Sequence, residues 1–295
     1  MKKQSSLFVF AAAVLWGTTG TAQALAPQGA QPLAIGALRL VIGALFLWIY
    51  AAFVGNLRQL NVTRQNALPI LGAGLCMAAY QVLFFAGVKL TGVAIGTLIG
   101  IGSSPIIAGI LAFLFRKERP GWAWGAATLL TVTGCGLLAI TGRELHTNPW
   151  GILLAIGAGG AYALFSLLSK GLLEEMPTQQ VMALTFGVGA LMLSPLLLTQ
   201  DLHWLLQPRG WIAALHLGVI ATGLAYILFG AGLKHIPVAT AVTLSMGEPF
   251  TAALLGILVL GEHFSLLTGL GVSLIFGGLV ILSLQNRRSG EPAPA

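Results

Sequence analysis

Charge is what this chain has least of. Eight acidic residues and 15 Lys or Arg make up 8% of its 295 residues, against 57% that are hydrophobic. Soluble domains carry roughly a quarter charged residues. With a mean hydropathy of +0.90, this chain has too much apolar surface for any soluble domain to hide, and lipid is its expected solvent. Cysteine is nearly absent as well. Cys76 and Cys135 fall within apolar runs without metal-ligand spacing and read as small packing residues. There is no G-x-x-x-x-G-K-[ST] loop, no H-E-x-x-H, no paired acidic motif and no nucleophile elbow. Nucleotide-driven pumping by this chain alone is therefore unsupported, as is hydrolytic chemistry. No cofactor and no metal are expected.

What the chain does have is long apolar runs. A helix needs about 20 apolar residues to cross the hydrocarbon core, and ten such stretches can be marked: 7–25, 33–54, 67–88, 92–115, 122–140, 150–170, 180–199, 211–232, 238–260 and 266–284. Their continuity indicates helices rather than the alternation of a barrel. The net charge of +7 reports topology rather than a nucleic-acid partner. With the N-terminus inside, Lys2, Lys3, Arg58, Arg64, Arg116, Lys117, Arg119, Lys170, Lys234, Arg287 and Arg288 fall on the inner side. Only Lys89, Arg143 and Arg209 fall outside, and Arg39 lies within a span. That bias predicts a multi-pass protein of a bacterial inner (plasma) membrane, both termini cytoplasmic. Lys2-Lys3, an apolar run and Ala22-Gln23-Ala24 also have the outline of a cleavable signal peptide. Removal would leave nine spans, and Trp16-Gly17-Thr18-Thr19 interrupts the run, so it is read as the first span.

The ten runs divide into two fives. Shifted by 144 residues, Pro105–Leu138 falls on Pro249–Leu282 with nine of 34 positions identical, among them Pro105/Pro249, Glu118/Glu262, Gly125/Gly269 and Gly134/Gly278. Composition alone gives roughly three matches, so a duplication is indicated. An odd number of spans per copy turns the second upside down, as in many carriers. The expected architecture is all-α: residues 1–146 as one five-helix repeat, 147–287 as its inverted copy, and 288–295 as a disordered tail. The link at 143–149 is short and polar. Gly92, Gly96 and Gly100 share one face of the fourth span and suit close packing within the first half, with a sliding or dimer contact as the other reading.

Several short segments, in this order and spacing, resemble the EamA-like branch of the drug/metabolite transporter superfamily. They are Trp16-Gly17 in the first span, Arg39 within Leu38–Ala44 in the second, and Leu244-Ser245-Met246-Gly247-Glu248-Pro249 through Gly261-Glu262 in the ninth. The resemblance covers residues 5–285. It implies a ten-span carrier, often an exporter of amino acids or other small metabolites, working by alternating access. Two positions depart from strict repetition: Lys117-Glu118 stands opposite Gly261-Glu262, and Tyr162-Ala163 opposite Trp16-Gly17.

Few residues inside the spans have chemistry to offer. Glu248 falls near the bilayer midplane, where a carboxylate costs at least about 2.5–3.5 kcal/mol unless protonated, paired or hydrated. It is either a neutral acid bonded to a neighbouring helix or a proton-carrying substrate ligand. Pro249 frees a backbone carbonyl at the same depth and is expected, with its mate Pro105, to bend its span. The 144-residue shift sets Ser104 opposite Glu248, so the acid occurs in one half only. Arg39 lies about six residues, roughly 9 Å, inside the outer end of its span. It either snorkels to the outer surface or binds anions at the cavity's outer mouth. Direct pairing with Glu248 is not expected across that difference in depth. Trp16, Thr19, Tyr80, Gln81, Tyr162 and Tyr226 put aromatic and polar groups at mid-depth in four spans, either as packing or as the wall of a cavity for an amphipathic solute. His216, His235 and His263 are placed at span ends.

The reading is a secondary transporter of a small-molecule substrate, an exporter of metabolites such as amino acids, in which two halves rock about a central cavity. A proton or counter-solute is the coupling partner considered, and oligomeric state leaves no signal. A channel and an intramembrane lipid-modifying enzyme are the rivals. A channel needs a polar stripe through the whole bilayer, and an enzyme needs several central polar groups.

Overall fold

A computed structural model describes residues 2–54, 60, 62–140, 148–261 and 263–288. Arg58, Arg143, Glu262, the link around 143–147 and the tail from 289 lie outside the described residues. Every regular element among the described residues is helical, and ten stretches are long and apolar enough to cross a membrane. Five are single helices before the midpoint: α1 (Lys2–Ala24), α2 (Pro32–Phe53), α3 (Arg64–Thr91), α4 (Val93–Arg116) and α5 (Trp122–Ile140). The sixth and seventh are α6 (Pro149–Glu175) and α7 (Thr178–Leu193), the latter ending in a 3₁₀ turn over Ser194–Thr199. The eighth joins α8 (Pro208–Leu215), a π-helical stretch His216–Leu224 and α9 (Ala225–Leu233). The ninth joins α10 (Val238–Leu244) to α11 (Gly247–Leu258), and the tenth is α12 (Leu266–Arg288).

Helix ends follow local chemistry. Thr63 opens α3 with a capping box: its side chain accepts from the Asn66 amide at 3.4 Å, and the Asn66 side chain accepts from the Thr63 amide at 2.8 Å. Asn148 accepts from the amides of Trp150 and Gly151 and is followed by Pro149 at the first helical position of α6. α6 outruns its apolar stretch because Leu-Leu-Glu-Glu is good helix-forming sequence beyond the hydrocarbon.

The packing is symmetric under exchange of the two groups of five. α3 packs on α6 as α9 packs on α1, α4 on α6 as α11 on α1, and α3 on α7 as the π stretch on α2. α2–α7 and α5–α12 each pair a span with its own counterpart. The match extends to single residues. A Cβ at Gly189 would sit 3.2 Å from the Gly74 carbonyl oxygen, and one at Gly43 3.1 Å from that of Gly218. Gly134 stands 2.6 Å by the same measure from the Gly271 oxygen, and Gly278 2.8 Å from that of Ala127. The second pair maps onto itself by the 144-residue shift; in the first, Gly43 and Gly189 are 146 apart and Gly74 and Gly218 are 144 apart. Small residues at these places let helices of different groups approach backbone to backbone.

The tightest packing runs between the groups of five, not within them, so the halves are interleaved. Two trios, α1 with α9 and α11, and α3 with α4 and α6, form the compact bodies. The Gly92/Gly96/Gly100 face packs within its half at Gly96 against Val88, and at Gly100 touches both Phe84 and the Ala155 oxygen of α6.

Two repeat positions explain motifs. Lys117, closing α4, is left-handed at φ 55°, and its mate Gly261 has φ 71°. The backbone symmetry survives where the residue identity does not, at a cost of about 1–2 kcal/mol for a side chain in that region. Lys117→Gly is therefore expected to stabilise the protein by about 0.5–1 kcal/mol, read as a higher melting temperature in detergent. A lower one would deny the strain. Gly17 allows α1 onto α11: a Cβ there would lie 2.8 Å from the Glu248 carbonyl oxygen and 2.5 Å from Thr251 Cβ. Gly17→Val is expected to cost about 1–3 kcal/mol by overpacking and to cut transport more than tenfold, whereas Gly20→Val, where nothing lies within 4 Å, leaves both near wild type.

Candidate functional site

The ninth span breaks where its sequence is least able to stay helical. Gly247 and Pro249 lie two residues apart, and the proline ring excludes a regular turn before it. Around the break the amides of Met246 and Glu248 reach back only three residues, to Thr243 and Ser245 carbonyls at 3.1 and 2.9 Å. The chain restarts as α11 with Glu248 in its first turn, where free amides and the helix dipole favour an acid. Pro105, the mate of Pro249, sits inside an unbroken α4, with Ser103 where the other copy has Gly247.

Between the two trios lies a cavity lined by Trp16, Arg39, Tyr80, Gly100, Ile101, Ser104, Tyr162, Tyr226, Ser245 and Glu248. Each trio supplies a share. α1, α9 and the broken ninth span bring Trp16, Tyr226, Ser245 and Glu248; α3, α4 and α6 bring Tyr80, Gly100, Ile101, Ser104 and Tyr162; α2 adds Arg39. The lining is made of repeat mates. Trp16/Tyr162 and Tyr80/Tyr226 are 146 apart, Ile101/Ser245 and Ser104/Glu248 are 144 apart. Its size is ≈ 40 Å³, room for a few water molecules and far below the roughly 300–1,000 Å³ of an open ligand site. In this conformation the cavity is too small for a metabolite.

Aromatic rings form its wall. Trp16 stands edge-on to Tyr162 with centroids 6.2 Å apart and lies 4.9 Å from Tyr226, and Tyr80 is 5.9 Å from Tyr162. Behind them Phe165, Phe186 and Phe229 are fully buried. The Tyr162 hydroxyl bonds Ser245 Oγ at 3.0 Å, tying α6 to the break in the ninth span. The Trp16 indole N–H and the Thr19 hydroxyl are buried without a partner. Thr19 and Gln81, expected on the cavity wall, are not on it: Gln81 is buried within α3 and Thr19 lies one residue past the α1 face that Trp16 and Gly17 present.

Arg39 corrects the depth argument. It lies seven residues, about 10 Å, from the N-terminal end of α2, and Glu248 lies ten residues from either end of its span. In a core about 30 Å thick only about 5 Å of depth separates them, within reach of an arginine side chain pointing inward. Arg39 lines the same cavity as Glu248, and its Nε donates to Thr222 Oγ1 at 3.2 Å. Thr222 donates in turn to the Leu217 carbonyl at 2.8 Å, five residues back, inside the π stretch. No direct Arg39–Glu248 ion pair occurs among the described residues. His216, expected at a span end, lies eight residues inside its span and is bonded to Thr18 Oγ1 at 2.8 Å. Ser104, Ile101, Gly100 and Ser245 were not expected on the wall. The 144-residue shift was a signal for Ser104 alone, the mate of Glu248.

The comparisons agree with this architecture. A model of the EamA-like transporter family matches residues 4–140 and again 149–284. Over 285 residues the chain is 45% identical to the uncharacterized transporter YwfM of Bacillus subtilis, covering 96% of this chain and 95% of that protein. It is 28% identical to the uncharacterized inner membrane transporter YicL of Salmonella typhimurium, covering 99% of each. It is 27% identical to the threonine/homoserine exporter RhtA of Escherichia coli, covering 97% of this chain and 92% of that one. A solved crystal structure superposes with a TM-score of 0.81 at 23% identity over 97% of this chain and 99% of the other, which shows the fold. With ten apolar helices, two family matches and relatives named as transporters rather than enzymes, the chain belongs to the EamA-like transporter family and is a multi-pass membrane transporter.

Proposed function

We propose that this chain exports a small zwitterionic metabolite of the amino-acid class across a bacterial inner membrane, its termini cytoplasmic, by alternating access at the cavity between the two trios. One observation carries the reading: a single carboxyl, Glu248, and a single guanidinium, Arg39, line one small cavity walled by Trp16, Tyr80, Tyr162 and Tyr226. An α-amino acid carries one ammonium and one carboxylate a few ångströms apart. Glu248 suits the ammonium, and Arg39 suits the carboxylate with a planar pair of donors. Ser104, Ser245 and the tyrosine hydroxyls supply hydrogen-bond partners for a short polar side chain, and the rings bound its size. RhtA is named a threonine/homoserine exporter, which agrees with a substrate of this kind. The excess of Lys and Arg at the even-numbered span ends supports cytoplasmic termini.

Because the trios, not the halves, are the compact bodies, the motion is trio against trio, hinged where α2 meets α7 and α5 meets α12. The cavity lies on the dividing surface, so a modest rotation opens it to one side while closing the other. Glu248 accepts either a proton or the substrate's ammonium. Competition between them at one carboxyl couples export to proton entry without a second site.

The test is counterflow in proteoliposomes with labelled amino acids, with and without a pH gradient. Wild type is expected to exchange short polar amino acids, and a gradient, acid on the side to which substrate is exported, to drive accumulation. Glu248→Gln is expected to lose gradient-driven accumulation at least tenfold; if accumulation persists in full, Glu248 is not the coupling group. Arg39→Gln is expected to raise the KM for amino acids at least tenfold but to leave amines lacking the carboxylate unaffected. An equal loss for both would remove Arg39 from the substrate's carboxylate.

A further inference from the structure

Away from the cavity, the most fully bonded charge in the molecule is Lys170. It lies in α6 five residues before the helix ends and is nearly buried, at 8% exposure. Its ammonium donates to three backbone carbonyls: Leu233 at 2.8 Å, Lys234 at 2.9 Å and Ile236 at 3.1 Å. These are the last residue of α9 and the turn leading to α10. Beside it, Glu118, just past the end of α4, accepts from the Val238 amide at 3.0 Å, the first residue of α10. Glu118 is held by Arg116 at 3.5 Å, and Arg116 also pairs with Glu174 of α6.

The charges match the turn. The end of α9 presents free carbonyls and carries the negative pole of its dipole; the start of α10 presents free amides and carries the positive pole. Lys170 takes the first and Glu118 the second. Both grips run from the α3–α4–α6 trio to the turn that joins the eighth and ninth spans of the other trio, so they cross the surface on which the cavity lies. The opposite end has no equivalent cation, since the 146-residue shift that pairs Tyr162 with Trp16 pairs Lys170 with Ala24. Fold symmetry therefore does not require Lys170.

We infer that Lys170 is a built-in cation that, with Glu118, latches the cytoplasmic side of the cavity shut, and that releasing this grip is the step that opens the site inward. The inference rests on the alternating-access reading above. The charged groups around the latch are Arg116, Glu118 and Glu174 from the ends of α4 and α6, and Lys234 from the turn itself.

The experiment needs no substrate. In a Cys76→Ala/Cys135→Ala background, Ser104→Cys places a thiol on the cavity wall, and a membrane-impermeant charged methanethiosulfonate is applied to inside-out and right-side-out vesicles. With the latch intact, labelling from the cytoplasmic face is expected to be slow. Lys170→Met and Glu118→Ala are each expected to raise that rate at least tenfold without raising labelling from the other face, and Lys170→Arg to keep it slow. Cytoplasmic labelling within twofold of the background in a variant that melts at the parental temperature would overturn the latch. So would faster labelling from both faces alike. If Lys170→Met does not fold, Glu118→Ala decides. An unchanged rate leaves the transport reading standing, and failed amino-acid counterflow leaves the labelling result readable.

Discussion

Everything in this molecule follows from the way its two copies are laced together. Lipid supplies no hydrophobic drive for helix to meet helix, so association rests on close van der Waals approach. The closest backbone approaches between spans here join one copy to the other, as at Gly159 with Gly100, Gly134 with Gly271 and Gly232 with Ser5. Neither copy completes its own packing. A cavity between such copies must lie where repeat mates face one another, and this one does, with Trp16 opposite Tyr162 and Tyr80 beside Tyr226's trio. Its location is a consequence of the lacing, not a separate feature of the fold.

Symmetry makes the cavity, and departures from symmetry make it selective. Three differences in charge between the copies bear on the cavity and its latch. Glu248 faces its mate Ser104 across the cavity, Arg39 has Thr185 as its mate, and Lys170 has Ala24. Thr185 spends its hydroxyl on its own helix, bonding the Val181 carbonyl at 2.7 Å, so it offers nothing to the site. The helix break is asymmetric too. Both copies carry the proline, but only Pro249 is preceded by a glycine two residues back, and only its helix restarts. The acid therefore stands at a helix N-terminus in the membrane, where amides and dipole stabilise the charged form that lipid penalises. One glycine beyond the repeat pattern gives the second copy its distinct chemistry.

Much of this was legible beforehand. All ten spans fell within a few residues of their expected bounds because lipid enforces length and apolarity so strictly that periodicity is hardly needed. Trp16, Tyr80, Tyr162, Tyr226 and Glu248 were picked out by their aromatic or ionisable chemistry at mid-depth, and depth is readable from span ends. What depth does not give is azimuth. Thr19 and Gln81 have the right height and the wrong face, and a helix that is apolar on nearly every side offers no stripe to tell the two apart. The misjudged distance between Arg39 and Glu248 came from measuring each residue's depth from its own span and leaving out the length of the arginine side chain. The interleaving of the copies was invisible for another reason. A repeat states which segments are alike and says nothing of which ones touch.

The same reasoning explains why the proposed latch is ionic while the cavity wall is aromatic. Near the midplane each unpaired charge costs several kcal/mol, so a seal there has to be made of rings that exclude water without charge. At the end of α6 the helix has passed beyond its apolar stretch, water is near, and a grip must be directional to hold. Three carbonyls around one ammonium provide that direction, and they also satisfy groups that the end of α9 would otherwise leave open. A grip of hydrogen bonds breaks over a small displacement, whereas stacked rings slide. A carrier that must commit to one side and then release it is served by such a contact at its mouth and by a compliant one at its centre.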